Sequence, residues 1–356
     1  MPSENPQISV VIPVYNGGQF IARTLDALRQ QTFADFEVLC VNDCSTDDSG
    51  AVLQQYAQND PRIRVFTTPT NQGIPSKVIK PYALPNLRGE YYVYSSQDDL
   101  FSPDWLEKMW HKARETGADA VLPKLVFAHA HNPAKNHSLV GINGNLDVVL
   151  TNREAVILSL DWLISGNALW KVSLVKRLDY PDFGLYADEY FVRELFFHAN
   201  KVVFCEGTFY YSQDNPASIA RKPGYKRFDS PYNHYKLFEF LKQHDFAPDI
   251  CAQELMRAIR DLLQKKQELI LNQTRYSSEH RQEAENRIQK CYATITQNEA
   301  AVSLLKQKTR FKHAPKVFAM THGYRFFCAC CQWLAQLRRI RRWISCRSGK
   351  PRGTPA

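Results

Sequence analysis

Two aspartates, Asp98 and Asp99, stand side by side at the end of the run "EYYVYSSQDD". Adjacent carboxylates repel, so a strand that ends on them commonly faces a cation. Hard oxygen ligands of this kind suit a divalent metal completed by substrate phosphates. The plainer alternative is that one of them caps a helix expected to carry Pro103 at its first position. Asp43 closes a second apolar run, "FEVLCVND". A carboxylate there can accept the imide N–H of a uracil or thymine ring, or serve as an Asx-turn residue. Tyr15 can wall a base or simply pack. Asp188 and Glu189 open an expected helix in "YADEYFVREL". One of them can take the proton of an acceptor hydroxyl, or both can be dipole partners of the first turn. Arg193 lies one turn after Glu189 and is spaced to pair with it.

These side chains require strands that end where the carboxylates begin. "ISVVIPV" at 8–14 is a continuous apolar run, as in a buried parallel strand, and "FEVLCVND", "IRVFTT" and "EYYVYSS" repeat the theme. Between them, "NGGQFIARTLDALRQQTF" and "CSTDDSGAVLQQYAQND" carry helical spacing or N-cap residues. Strands alternating with helices predict βαβ units and a mostly parallel sheet flanked by helices. In such sheets ligands bind beyond the carboxyl ends of the strands, where "YNGG", "NDCSTDD" and "SSQDD" all fall. Pro75, Pro81 and Pro85 exclude one regular helix over 74–88. Residues 129–150, with His129, His131 and His137, read as a polar loop rather than a metal site.

The 356 residues, 44% of them hydrophobic, suffice for a large core and an extension. The net charge of +9 is unevenly spread: thirteen basic residues and no acid follow Glu299, which leaves −4 for residues 1–299. An acidic body argues against nucleic acid as the main partner. Nine cysteines, with no second Cys or His pair at zinc-finger distance from "CACC" at 328–331, read as free thiols. Neither a secretory signal nor a run of ~20 apolar residues is apparent.

Taken in order, "VVIPVYNGGQFIARTLDALRQQTF", "FEVLCVNDCSTDDS", "NQG", "RGEYYVYSSQDD", "SGNALW" and "YADEYFVREL" resemble a glycosyltransferase of family 2, over roughly residues 7–220. The resemblance implies the GT-A fold for nucleotide-diphospho-sugar transfer, an α/β architecture. It also implies a nucleoside diphosphate sugar donor, expected to be UDP-linked, a divalent Mn2+ or Mg2+ cofactor, and inverting displacement. Carried over by residue, Pro13 and Tyr15 fall at the edge of the base and Asp43 on the base. Asp98 falls on the ribose or donor sugar and Asp99 on the metal. Asp188 and Glu189 fall at the acceptor side, with Asp188 the expected base. Gly166 and Asn167 match an acceptor-pocket segment. Three positions depart from the family pattern: Cys44 replaces a glycine, Ser96 replaces a further aspartate, and Lys77 or Lys80 must serve the diphosphate.

The expected organisation is a catalytic domain over 1–225, an α-helical extension over 226–310, and a basic amphipathic tail over 311–356. In the tail, Phe326, Phe327, Cys330, Trp333, Leu334, Leu337, Ile340 and Ile344 can share one helical face beside Arg338, Arg339, Arg341 and Arg342. That pattern fits an anionic membrane interface, with a helix packed on the body or a nucleic-acid contact as alternatives. The expected acceptor is a glycan or lipid-linked glycan of a bacterial surface polysaccharide, such as lipooligosaccharide or capsule. The expected location is cytoplasmic, peripheral on the inner membrane, with a homodimer through the helical extension. The competing class is a non-catalytic sugar-nucleotide-binding or membrane scaffold that keeps the fold.

Overall fold

The computed structural model describes residues 5–215, 218, 224–307 and 314–347, without the side chains of 314 and 341–347. Two compact units divide the chain: Met1–Phe183 with Ala187–Ser218, and Gly184–Tyr186 with Ile219–Ala356.

In the first unit, β1 (Ile8–Val14) and β2 (Phe36–Asn42) are buried along almost their whole length, as strands covered on both faces must be. They join β3 (Ile63–Thr67) and β4 (Tyr91–Tyr94) in parallel, in the order β3–β2–β1–β4. Beyond β4 the sheet becomes mixed. The short β8 (Leu169–Lys171) runs antiparallel to β4 and to β6 (Ala120–Ala128). β6 pairs in parallel with β9 (Val202–Ser212) across an irregularity after Leu122, and β5 (Leu100–Phe101) is antiparallel to β9. β7 (His137–Leu139) pairs with β6, so part of the expected polar loop is a strand, and the His137 ring stacks on Phe127.

Helices cover this sheet. α1 (Gly18–Arg29) buries Ile21, Thr24, Leu25 and Leu28, each apolar one contributing about 1.5–3 kcal/mol by leaving water. α2 (Ser49–Asn59) follows β2. The proline-broken stretch is one α-turn, α3 (Ser76–Val78), then a π-turn over Ile79–Ala83 and a 3-10 turn over Leu84–Asn86. α4 (Trp105–Thr116) begins later than expected: Pro103 precedes the N-cap, Asp104, in a turn closed by Trp105 N–H to Ser102 C=O. α5 (Asn152–Leu160) starts on a reciprocal Thr151–Glu154 capping box. α6 (Val172–Arg177) and α7 (Ala187–His198) complete the unit. Since β2 and β4 lie on opposite sides of β1, the connections diverge there and leave a crevice at the carboxyl ends of the strands.

The second unit is a helical bundle. It comprises α8 (Ser230–Gln243), α9 (Pro248–Leu271), α10 (Ser278–Gln297), α11 (Glu299–Gln307), α12 (Ala314–Thr321) and α13 (Tyr324–Arg347). α9 packs against α8, α10 and α13, so its own sides are apolar and buried. Lys266 Nζ lies 2.5 and 2.7 Å from the Glu285 oxygens, and Tyr324 Oη donates to Glu285 at 2.6 Å, tying α13 to the bundle. The buried stripe of α13 is Phe327, Cys331 and Ala335, and the larger apolar residues Trp333 (60% exposed) and Ile340 (53%) face solvent. The single apolar face expected for this helix therefore splits. Ile344, Arg341 and Arg342 have side chains outside the described set. Among the described residues no helix is long and apolar enough to cross a membrane.

Candidate active site

The polar segments after β1, β2 and β4 are stitched together. Asn16 accepts the Thr46 N–H at 2.8 Å, and its own N–H reaches Ser45 Oγ at 3.0 Å. Gly17 and Gly18 donate to Ser49 Oγ and Asp47 at 2.9 and 3.0 Å. Tyr15 is 44% exposed, and its backbone is held on both sides by the Gln97 amide: N–H to Oε1 at 2.9 Å, and C=O from Nε2 at 3.3 Å. Pro13, half-buried in β1, sits opposite Val41. Cys44, standing where a glycine was expected, has φ +54°, so the left-handed turn is retained by a residue that adopts it at a cost.

Asp43 is buried, and its carboxylate is saturated. One oxygen accepts Thr68 Oγ1 and the Gln72 N–H at 3.0 and 2.8 Å; the other accepts Asn71 Nδ2 and the Gly73 N–H at 3.0 and 3.1 Å. In this arrangement Asp43 anchors the 68–73 loop, and a base N–H reaches it only by sharing or displacing a donor.

Neither aspartate of the pair caps α4. Asp99, 1% exposed, accepts the Ser212 N–H at 3.0 Å and the Ser96 N–H at 2.9 Å, one on each oxygen. Asp98 accepts Asn215 Nδ2 at 2.8 Å. Ser212 and Asn215 come from the end of β9 and the residues just after it. Thr24 Oγ1, on α1, sits 2.9 Å from the carbonyls of both Gln97 and Asp99. Burial first, and the Asp98 charge second, push the Asp99 carboxyl up to about 8. Ser96 also hydrogen-bonds this carboxylate through its side chain. A carboxylate here is a hard oxygen donor of the kind a divalent cation could take. No group of three His, Cys, Asp or Glu side chains gathers among the described residues, so a cation at Asp99 would take its other ligands from substrate oxygens or water.

A cavity of about 150 Å³ opens beside this loop, lined by Ser96, Tyr94, Tyr211, Trp162, Asp188 and Glu189 among others. α7 presents the two acids from its first turn. Arg193, 5% exposed, ion-pairs with Glu189, donates to the Glu189 C=O at 2.9 Å, and reaches the Ser159 C=O at 2.6 Å. Asp188 makes no ion pair among the described residues, although the Arg193 charge nearby acts against the rise of its carboxyl. Burial, then the Glu189 charge, push its carboxyl up to about 7. Gly166 lies so close to α7 that an added Cβ would meet the Val192 methyls at 2.6 Å.

Asp188 and Glu189 line this cavity, whereas Pro13, Tyr15, Asp43, Asp98 and Asp99 stand at or after the carboxyl ends of β1, β2 and β4. Asp99, Asp188, Glu189 and Asp98 all lie near enough to Tyr211 to raise its phenol above the ordinary range, after burial itself. Of the two lysines offered for a diphosphate, both are exposed, and Lys80 is paired with Asp179 at 2.6 Å. Sequence reasoning missed Thr24, Ser212, Asn215 and Trp162. Nothing in their types announced them, because they act through register and loop closure.

Sheet order, crevice and clustered carboxylates define the class: a GT-A-type nucleotide-sugar transferase fold with an α-helical C-terminal region. Residues 9–158 match the family model for Glycosyl transferase family 2. The glycosyltransferase GlyG of Streptococcus pneumoniae serotype 4 is 24% identical over 60% of this chain and 73% of its own. TarS of Staphylococcus aureus strain Mu50, a poly(ribitol-phosphate) beta-N-acetylglucosaminyltransferase, is 26% identical over 58% of this chain and 35% of its own. The structure of TarS 1–349 with UDP-GlcNAc superposes at TM-score 0.62, 18% identity, covering 90% of this chain and 91% of that one. A mannosyltransferase from Pyrobaculum calidifontis, solved with GDP-Man and Mn2+, superposes at 0.51 and 17% identity over 95% and 88% of the two chains. This chain thus spans only about a third of full-length TarS.

Proposed function

We propose that this glycosyltransferase moves a sugar from a UDP-linked donor to a hydroxyl of a bacterial cell-surface glycan, lipid-linked or polymeric, with inversion at the anomeric carbon. The observation that carries the reading is the division of labour in the acid pair: Arg193 ion-pairs with Glu189, while Asp188, facing the cavity, is raised by burial and the Glu189 charge more than the Arg193 charge lowers it. A carboxylate with a pKa near the working pH is suited to take a hydroxyl proton during attack. The acceptor oxygen then bonds to the anomeric carbon as the bond to the diphosphate breaks, and the diphosphate leaves with the electron pair. Tyr15, with Pro13 beside it, forms the wall of the base, and Asp43 holds the loop that meets it. Asp98 faces the ribose or sugar, and Asp99 would hold Mn2+ or Mg2+. When bound, such a cation offsets the charge of the departing diphosphate.

The exposed Trp333 and Ile340, with Arg338 and Arg339 between them in sequence, support peripheral attachment to an anionic membrane, on the cytoplasmic face where lipid-linked acceptors would be met. A homodimer through the helical unit remains part of this proposal. Incubating the full chain with UDP-, GDP- and dTDP-sugars and manganese, and measuring nucleoside diphosphate release, tests the reading. UDP release that needs manganese supports it; failure of every donor to bind or turn over overturns it.

A further inference from the structure

Trp162 has φ +55°, a left-handed backbone conformation that bulky side chains rarely adopt. It occupies the position after the C-cap of α5, Asp161. Its N–H bonds Ser159 C=O at 3.2 Å, and the next N–H, of Leu163, bonds Leu158 C=O at 3.0 Å. This is the double closure that ordinarily carries glycine at this position. The residue is 41% exposed, so complete burial in a core is not what holds it there. It also lines the cavity that contains Asp188. A strained backbone supporting a half-exposed aromatic at the mouth of a reaction cavity points to a ligand.

We infer that Trp162 is a stacking platform for the acceptor, and that the acceptor unit presented to Asp188 is a pyranose rather than an acyclic polyol. This rests on the glycosyl-transfer reading above and narrows its acceptor class. The flat, weakly polar face of an indole matches the axial C–H face of a pyranose, and a flexible polyol offers no such face. The other cavity walls fit the same ligand: Tyr94 and Tyr211 add aromatic surface, and Asn167 and Asp188 supply hydrogen-bond partners for ring hydroxyls.

The test uses methyl β-D-glucopyranoside and ribitol as probes on the full chain, with binding read by saturation-transfer NMR, and UDP binding titrated separately. The glucoside should receive saturation through its axial protons and bind at least about tenfold tighter than ribitol. Trp162→Gly and Trp162→Ala should both weaken the glucoside about tenfold or more, and Trp162→Phe should keep it within about threefold. The glycine variant should melt above the alanine variant, since only glycine relieves the left-handed residue. A purely structural Trp162 would make glucoside affinity follow melting temperature, or leave it unchanged in both variants; either result overturns the inference, as does equal binding of ribitol. Absence of UDP binding in the unaltered protein would instead count against glycosyl transfer itself.

Discussion

Arg193 sits one helical turn from Glu189 and is committed to it, through the carboxylate and through the backbone carbonyl of the same residue. Two adjacent acids on one helix are thereby made unequal: one is neutralised, and the other is left raised by burial beside a charge. In such a pair the unneutralised member is the one able to exchange a proton near neutral pH.

Transfer should therefore fail on the acid side. Asp188 must be ionised to accept a proton, so its working form disappears as pH falls through about 7. Below that value kcat/KM should drop about tenfold per pH unit. Asp188→Asn should cost about 10²–10⁴-fold in kcat at every pH and remove this limb of the profile. Glu189→Gln should keep the limb. An unchanged profile in Asp188→Asn would assign the base elsewhere.

Asp99→Asn should abolish manganese-dependent UDP release. Thermal melting gives a readout independent of turnover. Manganese with UDP should raise the midpoint of the unaltered protein, because a ligand that binds only the folded state stabilises it. The variant should show little of that rise.

Asp43→Asn tests the saturated carboxylate. An amide offers one acceptor oxygen in place of two, so two of the four donors from Thr68, Asn71, Gln72 and Gly73 lose their partner. Leaving them unpaired should cost about 2–3 kcal/mol, seen as a lower denaturant midpoint, and should weaken UDP measured by calorimetry. Unchanged stability would mean the loop does not depend on this anchor.

Cys44→Gly should stabilise the protein. Relief of the left-handed residue returns roughly 1–2 kcal/mol, and glycine's extra freedom in the unfolded chain takes back about 0.4–1. A small rise in melting temperature is expected, whereas Cys44→Val should lower it.

For the membrane, deleting the tail is a poor test, because Phe327, Cys331 and Ala335 are core residues of the helical unit. Trp333→Glu with Ile340→Glu leaves that stripe intact. Flotation with anionic liposomes should lose the double variant and retain the unaltered chain; equal flotation would remove membrane attachment from the proposal.

Much of this was legible in the chain itself. Continuous apolar runs such as "ISVVIPV" can only be strands covered on both sides, and the polar residues that follow them must lie at one edge of the sheet. The partners of the aspartates were not legible. Ser212 and Asn215 lie 113 and 117 residues from Asp99 and Asp98, and they meet them only because β9 reaches this edge after its irregular pairing with β6. Trp162 was hidden for a different reason: the local cue for a left-handed helix end is glycine or asparagine, and neither is there. In the tail, helical periodicity marked apolar residues correctly but could not tell which side the bundle would cover. A stripe of small residues, Cys331 and Ala335, packs more closely than Trp333 could.

The contact of Gly17 with Gln97 has a consequence for how this site can drift. A Cβ at position 17 would fall 2.3 Å from Gln97 Oε1, and that amide is already held at both ends by the Tyr15 backbone. Neither position can change alone without unfastening the Tyr15 segment from the 96–99 loop. In descendants of this chain, loss of the glycine should follow or accompany a shorter residue at 97, so the two should be inherited as a linked pair.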